Sequence, residues 1–203
     1  MSSSVVLTAL LGLFSLSQAS LPDCKELITP LTLEDDSKSI MGKWIFLEGI
    51  ADHHLFTDIL NTVNSSWVEF GPSPLANTLT LSQGNMLKGK CEFNTINLTV
   101  KENTFDANVE NGTISEGRFL PSCPECTTIS FISQFKNETI KTLYFFKRES
   151  NPTQSDMDTY WKQAECLGFK REKQYSYDGA TELCEVVKHS SSEQKPSSDK
   201  TDQ

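Results

Sequence analysis

The chain has little positive charge to gather. Its 18 Lys and Arg stand against 27 Asp and Glu, for a net charge of −9 at pH 7, and the densest basic cluster is Lys170-Arg171 with Lys173. A nucleic-acid backbone is held by a clustered positive face, so nucleic acid is excluded as a partner class. The acidic balance serves solubility and would favour a cationic ligand over an anionic one. Long hydrophobic runs are missing too. None reaches the roughly 18–20 apolar residues that a membrane-crossing helix needs, so no membrane span is expected. Histidine is scarce: His53, His54 and His189 are the three, and no second Cys or His pair stands at zinc-ligand spacing. A Ser or Cys nucleophile finds no evident base among them. Gly-rich phosphate loops and paired-glycine dinucleotide fingerprints are absent. These gaps predict a protein without metal, without cofactor and without catalytic activity, in which His53-His54 is a solvated loop pair, the alternative being a soft-metal or organotin contact.

The longest apolar run stands at the start. Val5-Val6-Leu7-Thr8-Ala9-Leu10-Leu11-Gly12-Leu13-Phe14-Ser15-Leu16, followed by Ser17-Gln18-Ala19, reads as a signal peptide over residues 1–19, although it lacks an N-terminal Lys or Arg. Export is therefore expected, to an extracellular location. Four acceptor sequons fit that route, at Asn64, Asn97, Asn111 and Asn137, each without Pro at the middle position. Glycans are bulky and hydrophilic, which places these asparagines on turns or outward faces. The remaining length suits one domain, residues 20–187. From His189 to Gln203 there is no apolar side chain, so 188–203 is expected to be a disordered polar tail.

Between these limits the periodicity is mostly that of strands. Alternating β-branched and aromatic residues mark Lys43–Ile50, Trp67–Phe70, Thr78–Ser82, Leu87–Phe93, Ile96–Lys101, Phe105–Val109, Thr127–Phe135 and Thr139–Lys147. Gly84-Asn85 and Asn111-Gly112 offer hairpin turns, and Pro72 and Pro74 break the chain after the second strand. Eight strands at this spacing predict an all-β fold, an antiparallel up-and-down barrel. Two segments read as helical. Asp52 to Val63 carries a short apolar face and would sit as a lid; Ser155 to Leu167, capped by Ser155 or Asp156 and stopped by Gly168, would flank the barrel wall.

Six cysteines, Cys24, Cys91, Cys123, Cys126, Cys166 and Cys184, in an oxidising compartment predict three disulfides, with fifteen pairings open. Cys123-Pro124-Glu125-Cys126 could instead be a redox motif, but that chemistry needs a helix N-terminus after the first thiol, and β-prone Thr127 to Phe131 follows.

Gly42-Lys43-Trp44 at the head of the first strand, Cys91-Glu92-Phe93-Asn94-Thr95-Ile96-Asn97, Asn111-Gly112-Thr113-Ile114-Ser115 and the late helix ending in Cys166 resemble the lipocalins (calycins), in the orosomucoid and apolipoprotein M branch. Cys123-Pro124-Glu125-Cys126, Ala164-Glu165-Cys166-Leu167-Gly168-Phe169 and Tyr177-Asp178-Gly179 are similar, more specifically, to fish plasma lipocalins that bind saxitoxin and tetrodotoxin or tributyltin. The resemblance covers Cys24 to Cys184. It implies the pairs Cys24–Cys166 and Cys91–Cys184, leaving Cys123–Cys126, and a barrel floor at Gly42 and Trp44. It also implies a plasma location and a pocket lined by Val68, Phe70, Tyr144 and Phe146, with Arg118 near a basic pocket position.

If Trp44 points inward, Phe46, Glu48 and Ile50 share its face by strand alternation, so Phe46 and Glu48 would look into the cavity. An eight-stranded barrel is just wide enough to fill itself or to hold one small ligand. An inward carboxylate tilts the balance toward a wet cavity and would serve as counter-ion for a guanidinium toxin. The expected function is a secreted carrier that sequesters a small hydrophobic, amphiphilic or cationic molecule. The alternative is an acute-phase, immune-modulating glycoprotein acting through its surface and glycans. Weak self-association stays open.

Overall fold

The structure, a computed structural model, describes residues 23–33, 37–109 and 113–186. The expected signal peptide (1–19), the tail (188–203) and the sequon at Asn111 lie outside the described residues. In chain order the elements are α1 (Cys24–Ile28), α2 (Ser37–Ile40), β1 (Gly42–Ala51), α3 (His54–Leu60), β2 (Val63–Pro72), β3 (Thr78–Leu87) and β4 (Lys90–Val100). There follow β5 (Phe105–Val109), β6 (Thr113–Leu120), β7 (Cys126–Phe135), β8 (Glu138–Lys147), α4 (Gln154–Cys166) and β9 (Tyr175–Ser176). Strands β1 to β8 pair antiparallel with their sequence neighbours. The pairing of β1 with both β2 and β8 closes them into an eight-stranded barrel, and β9 adds to β1. Among the described residues no helix is long and apolar enough to cross a membrane.

Period-two alternation sends the two faces of the wall into two separate cores. Trp44, Phe46, Val68, Phe70, Leu98, Phe105, Phe119 and Ile129 pack inside the barrel. Leu47, Ile50, Leu120, Leu143 and Phe145 face outward and are covered by Tyr160, Trp161 and Ala164 of α4. Tyr160 Oη donates to the Leu143 carbonyl (3.2 Å), and the buried Gln163 amide donates to the carbonyls of Leu27 and Pro121 (2.9 and 2.8 Å). That helix begins earlier than its sequence suggests. Thr153, not Ser155 or Asp156, is the N-cap: its hydroxyl accepts from Asp156 N while the Asp156 carboxylate accepts from Thr153 N, a reciprocal capping box.

One turn assignment also changes. The β3–β4 hairpin turns at Lys88-Gly89, both at positive φ, and not at Gly84-Asn85. Gly84 lies within β3 opposite Trp67, where a Cβ would sit 2.6 Å from the indole, so this glycine serves close packing and not a turn. Strand β6, which the expected eight did not include, completes the barrel. The expected Thr78–Ser82, Leu87–Phe93 and Ile96–Lys101 are two long strands.

Candidate functional site

The inner face encloses a cavity of about 260 Å³ toward the end of the barrel where α3 lies. Its wall on β1 and β8 is aromatic. Phe46 packs edge-on to Tyr144 (ring centroids 5.2 Å) and lies 5.1 Å from Phe146, and Phe131 of β7 adjoins Tyr144 at 5.7 Å. Val68 and Phe70 of β2 form the adjacent wall. Five residues singled out from the sequence, Phe46, Val68, Phe70, Tyr144 and Phe146, therefore meet at one cavity.

Glu48 and Arg118 do not. Phe46 pairs with Phe146 but Glu48 pairs with Phe145, so Leu47 is an extra residue, a β-bulge. One inserted residue inverts the alternation that follows. Leu47 and Ile50 both join the outer core, and Glu48 lies outside the cavity beneath the chain at β9. There its Oε1 accepts from Ser176 Oγ (2.6 Å) and faces Lys173 Nζ at 4.0 Å, while Oε2 has no hydrogen-bond partner among the described residues. Arg118 fails by parity. Gly117 and Phe119 face inward against Phe105, which turns Arg118 outward, where its guanidinium grips the Glu116 carboxylate through Nε and Nη2 (3.1 and 2.6 Å).

The floor lies at the opposite end, where β1 begins. Trp44 is 2 % exposed and donates from Nε1 to the Ile40 carbonyl (2.7 Å), so α2 is tied across that end. The Arg148 guanidinium stacks 3.5 Å over the indole and donates to the carbonyls of Lys43, Met41 and Ser39. Gly42 is at φ 87°, and a Cβ there would lie 3.2 Å from Arg148 Nη1. Glycine suits this crowded entry for both reasons.

At the mouth Ile59 and Leu60 of α3 line the cavity, as the lid reading expects, although the helix is shorter and Val63 already opens β2. His53 is its N-cap: Nδ1 accepts from Leu55 N (3.3 Å), and Nε2 lies 2.6 Å from the Glu138 carboxylate. Gln174 brackets the far end of β1, donating to Ala51 O and accepting from Ala51 N, and also accepts from Thr57 of the lid. A larger groove of about 530 Å³ lies outside the barrel between α3 and residues 168–174. It is lined by the exposed Asp52, Asp58, Lys170 and Lys173 and by His53, whose side chain, expected to be solvated, is only 15 % exposed.

Sequence reading missed several contributors. Ser66, Leu81, Gln83, Asn85 and Ile129 also line the cavity. Tyr175 stacks on the ring of Phe46 (4.4 Å, 11°) and donates to the Phe46 carbonyl. A two-residue strand leaves no periodic trace, whereas alternation from Phe70 and Val68 to Ser66 could have found that serine.

The disulfides are Cys24–Cys166, Cys91–Cys184 and Cys123–Cys126, with Cα separations of 5.4, 5.6 and 4.8 Å. Cys126 opens a strand, not a helix, so the thiol-activating dipole of a redox motif is missing there. Asn64, Asn97 and Asn137 are all exposed.

Burial pushes the Glu48 carboxyl above the ordinary carboxylate range, against the hydrogen bond from Ser176 and the charge of Lys173. The folded state therefore holds this proton more tightly than the unfolded chain does. Its contribution to stability is full below the unfolded pKa and is lost as pH rises through the folded one. Glu48→Gln should remove that loss, so that the variant gains melting temperature relative to wild type between pH 4 and pH 7. Parallel pH profiles for the two proteins would show that the carboxylate is well solvated after all.

No family model matches the chain. It is similar in sequence to saxitoxin and tetrodotoxin-binding proteins 2 and 1 of Takifugu pardalis, each 27% identical over 199 residues, covering 87% of this chain and 48% of the relative. The chain thus spans about half the length of the curated relatives it matches. Among solved structures it resembles the siderocalin Ex-FABP (TM-score 0.56, 11% identity, covering 66% of this chain and 89% of that one). It also resembles lipocalin 12 from rat epididymis (TM-score 0.61, 13% identity, 73% and 87%). The chain has the lipocalin fold, and fish saxitoxin- and tetrodotoxin-binding proteins are among its homologues.

Proposed function

We propose that the protein is an exported, glycosylated carrier that holds one small hydrophobic or amphiphilic molecule in its barrel and performs no chemistry on it. The observation that carries this reading is the aromatic-walled cavity of about 260 Å³ under α3. Ligand sites are concave and mostly apolar with a few polar groups, and typically occupy about 300–1,000 Å³. This cavity falls just below that range, which suits a small ligand. The names of the fish relatives support a small exogenous molecule as cargo, while the uncharged lining of this cavity does not favour a guanidinium toxin. The signal-peptide-like run and the sequons support an extracellular, plasma location.

Titration with the neutral dye N-phenyl-1-naphthylamine tests the reading. Fluorescence should rise to saturation with one site, and Phe46→Ala should weaken binding at least tenfold, about 1.4 kcal/mol, by removing the ring that joins the β1 and β8 walls. Melting curves of the variant separate this loss from unfolding. Non-saturable enhancement, or equal affinity in a folded variant, would favour a glycoprotein that works through its surface and sugars.

A further inference from the structure

We infer that the cavity selects an uncharged molecule with an apolar, ring-sized body and a hydrogen-bond acceptor, and that Asn85 and Gln83 set this selectivity. The inference rests on the carrier reading above. Among the described residues, none of the side chains lining the cavity is charged. The two ionisable groups that sequence reading would put there both turn away: Glu48 is displaced by the bulge at Leu47, and Arg118 is paired with Glu116 on the outer surface. Tyr144 is the one titratable group on the wall, and burial pushes its phenol up, so it stays neutral. A cation entering this space would lose its hydration with no counter-ion to replace it, which is costlier than burying a neutral polar group.

The polar groups lie together on one strip. On β3, Gln83 and Asn85 are successive inward positions, paired with Val68 and Ser66 of β2, across the cavity from the aromatic wall. Ser66 Oγ donates to Asn85 Oδ1 (2.6 Å), which occupies the carbonyl of that amide and leaves its NH₂ group without a described partner. Gln83 makes no side-chain hydrogen bond to another described residue. A half-buried strip with free amide donors opposite an aromatic wall fits a carbonyl, ether or hydroxyl oxygen on a flat apolar frame.

Three ligands of one shape test this on the purified protein by displacement of N-phenyl-1-naphthylamine: 2-acetylnaphthalene (neutral, with an acceptor), 2-isopropylnaphthalene (neutral, without one) and 2-naphthamidine (cationic). The acetyl compound should bind at least tenfold tighter than the isopropyl one, and the amidinium more weakly than both. Gln83→Leu with Asn85→Leu should bring the two neutral ligands within twofold of each other. Asn85→Asp keeps the side-chain shape and the oxygen that Ser66 bonds, and should strengthen amidinium binding at least tenfold. Amidinium binding as tight as the acetyl compound in wild type, or an acetyl preference that survives the double leucine change, would overturn the inference while leaving a carrier. If the dye binds nowhere in the protein, the carrier reading falls and this inference with it.

Discussion

Trp44→Ala should lower stability by about 3–5 kcal/mol, the range for truncating a large buried aromatic. Three losses combine at this position. The indole is 2 % exposed and its removal leaves a void under the inner core; the Ile40 carbonyl loses its donor; and Arg148 loses the ring on which it stacks. Arg148 keeps its three carbonyl contacts to residues 39–43, so the closed end should loosen without coming apart. Urea unfolding monitored by circular dichroism measures the effect. A midpoint within error of wild type would mean that Trp44 does not close the barrel. Dye affinity in the folded fraction should change by less than threefold, because the cavity wall and lid lie toward the other end.

A second large effect is expected from the covalent frame. Cys24–Cys166 closes a loop with a sequence separation of 142, and the chain-entropy model assigns such a link about 5 kcal/mol. It pins α1 to the last turn of α4, the helix that seals the outer core. Cys91–Cys184, at a separation of 93, holds the C-terminal segment against β4 and is worth about 4.6 kcal/mol on the same scale, whereas Cys123–Cys126, at 3, is worth less than about 2. Replacing each pair by serine should rank the losses in that order. The first should lower the melting temperature by roughly 10–20 °C for a domain of this size. If removal of Cys123–Cys126 cost as much as removal of Cys24–Cys166, loop entropy would not be the governing effect.

What was legible in the sequence is what repeats. Alternation over many residues marked the long strands, and three- and four-residue spacing marked α4, because burial of one face leaves a periodic trace. Single-residue events leave none. The bulge at Leu47 carries no compositional mark, yet it inverts every later position of β1 and moves Glu48 from the expected pocket to the outer wall. The turn at Lys88-Gly89 lost to Gly84-Asn85 because a glycine chosen for contact with Trp67 looks the same as one chosen for positive φ. Strand β6 escaped because Ser115, Glu116 and Gly117 are weak strand formers; Gly117 stands there because the Phe105 ring occupies the place of its side chain. Pocket positions such as Val68 and Tyr144 came from resemblance, and that route misled at Arg118, where a shift of one residue decides which face is reached.

The central claim is that a small molecule sits inside the barrel, and chemical-shift mapping with N-phenyl-1-naphthylamine on ¹⁵N-labelled protein tests it most directly. The largest saturable shifts should fall on residues 46, 66, 68, 83, 85, 131 and 144, on the inner faces of five strands, and on residues 59–60 of the lid. Shifts confined to the outer groove at residues 52–58 and 168–174, or no saturable shifts at all, would contradict it.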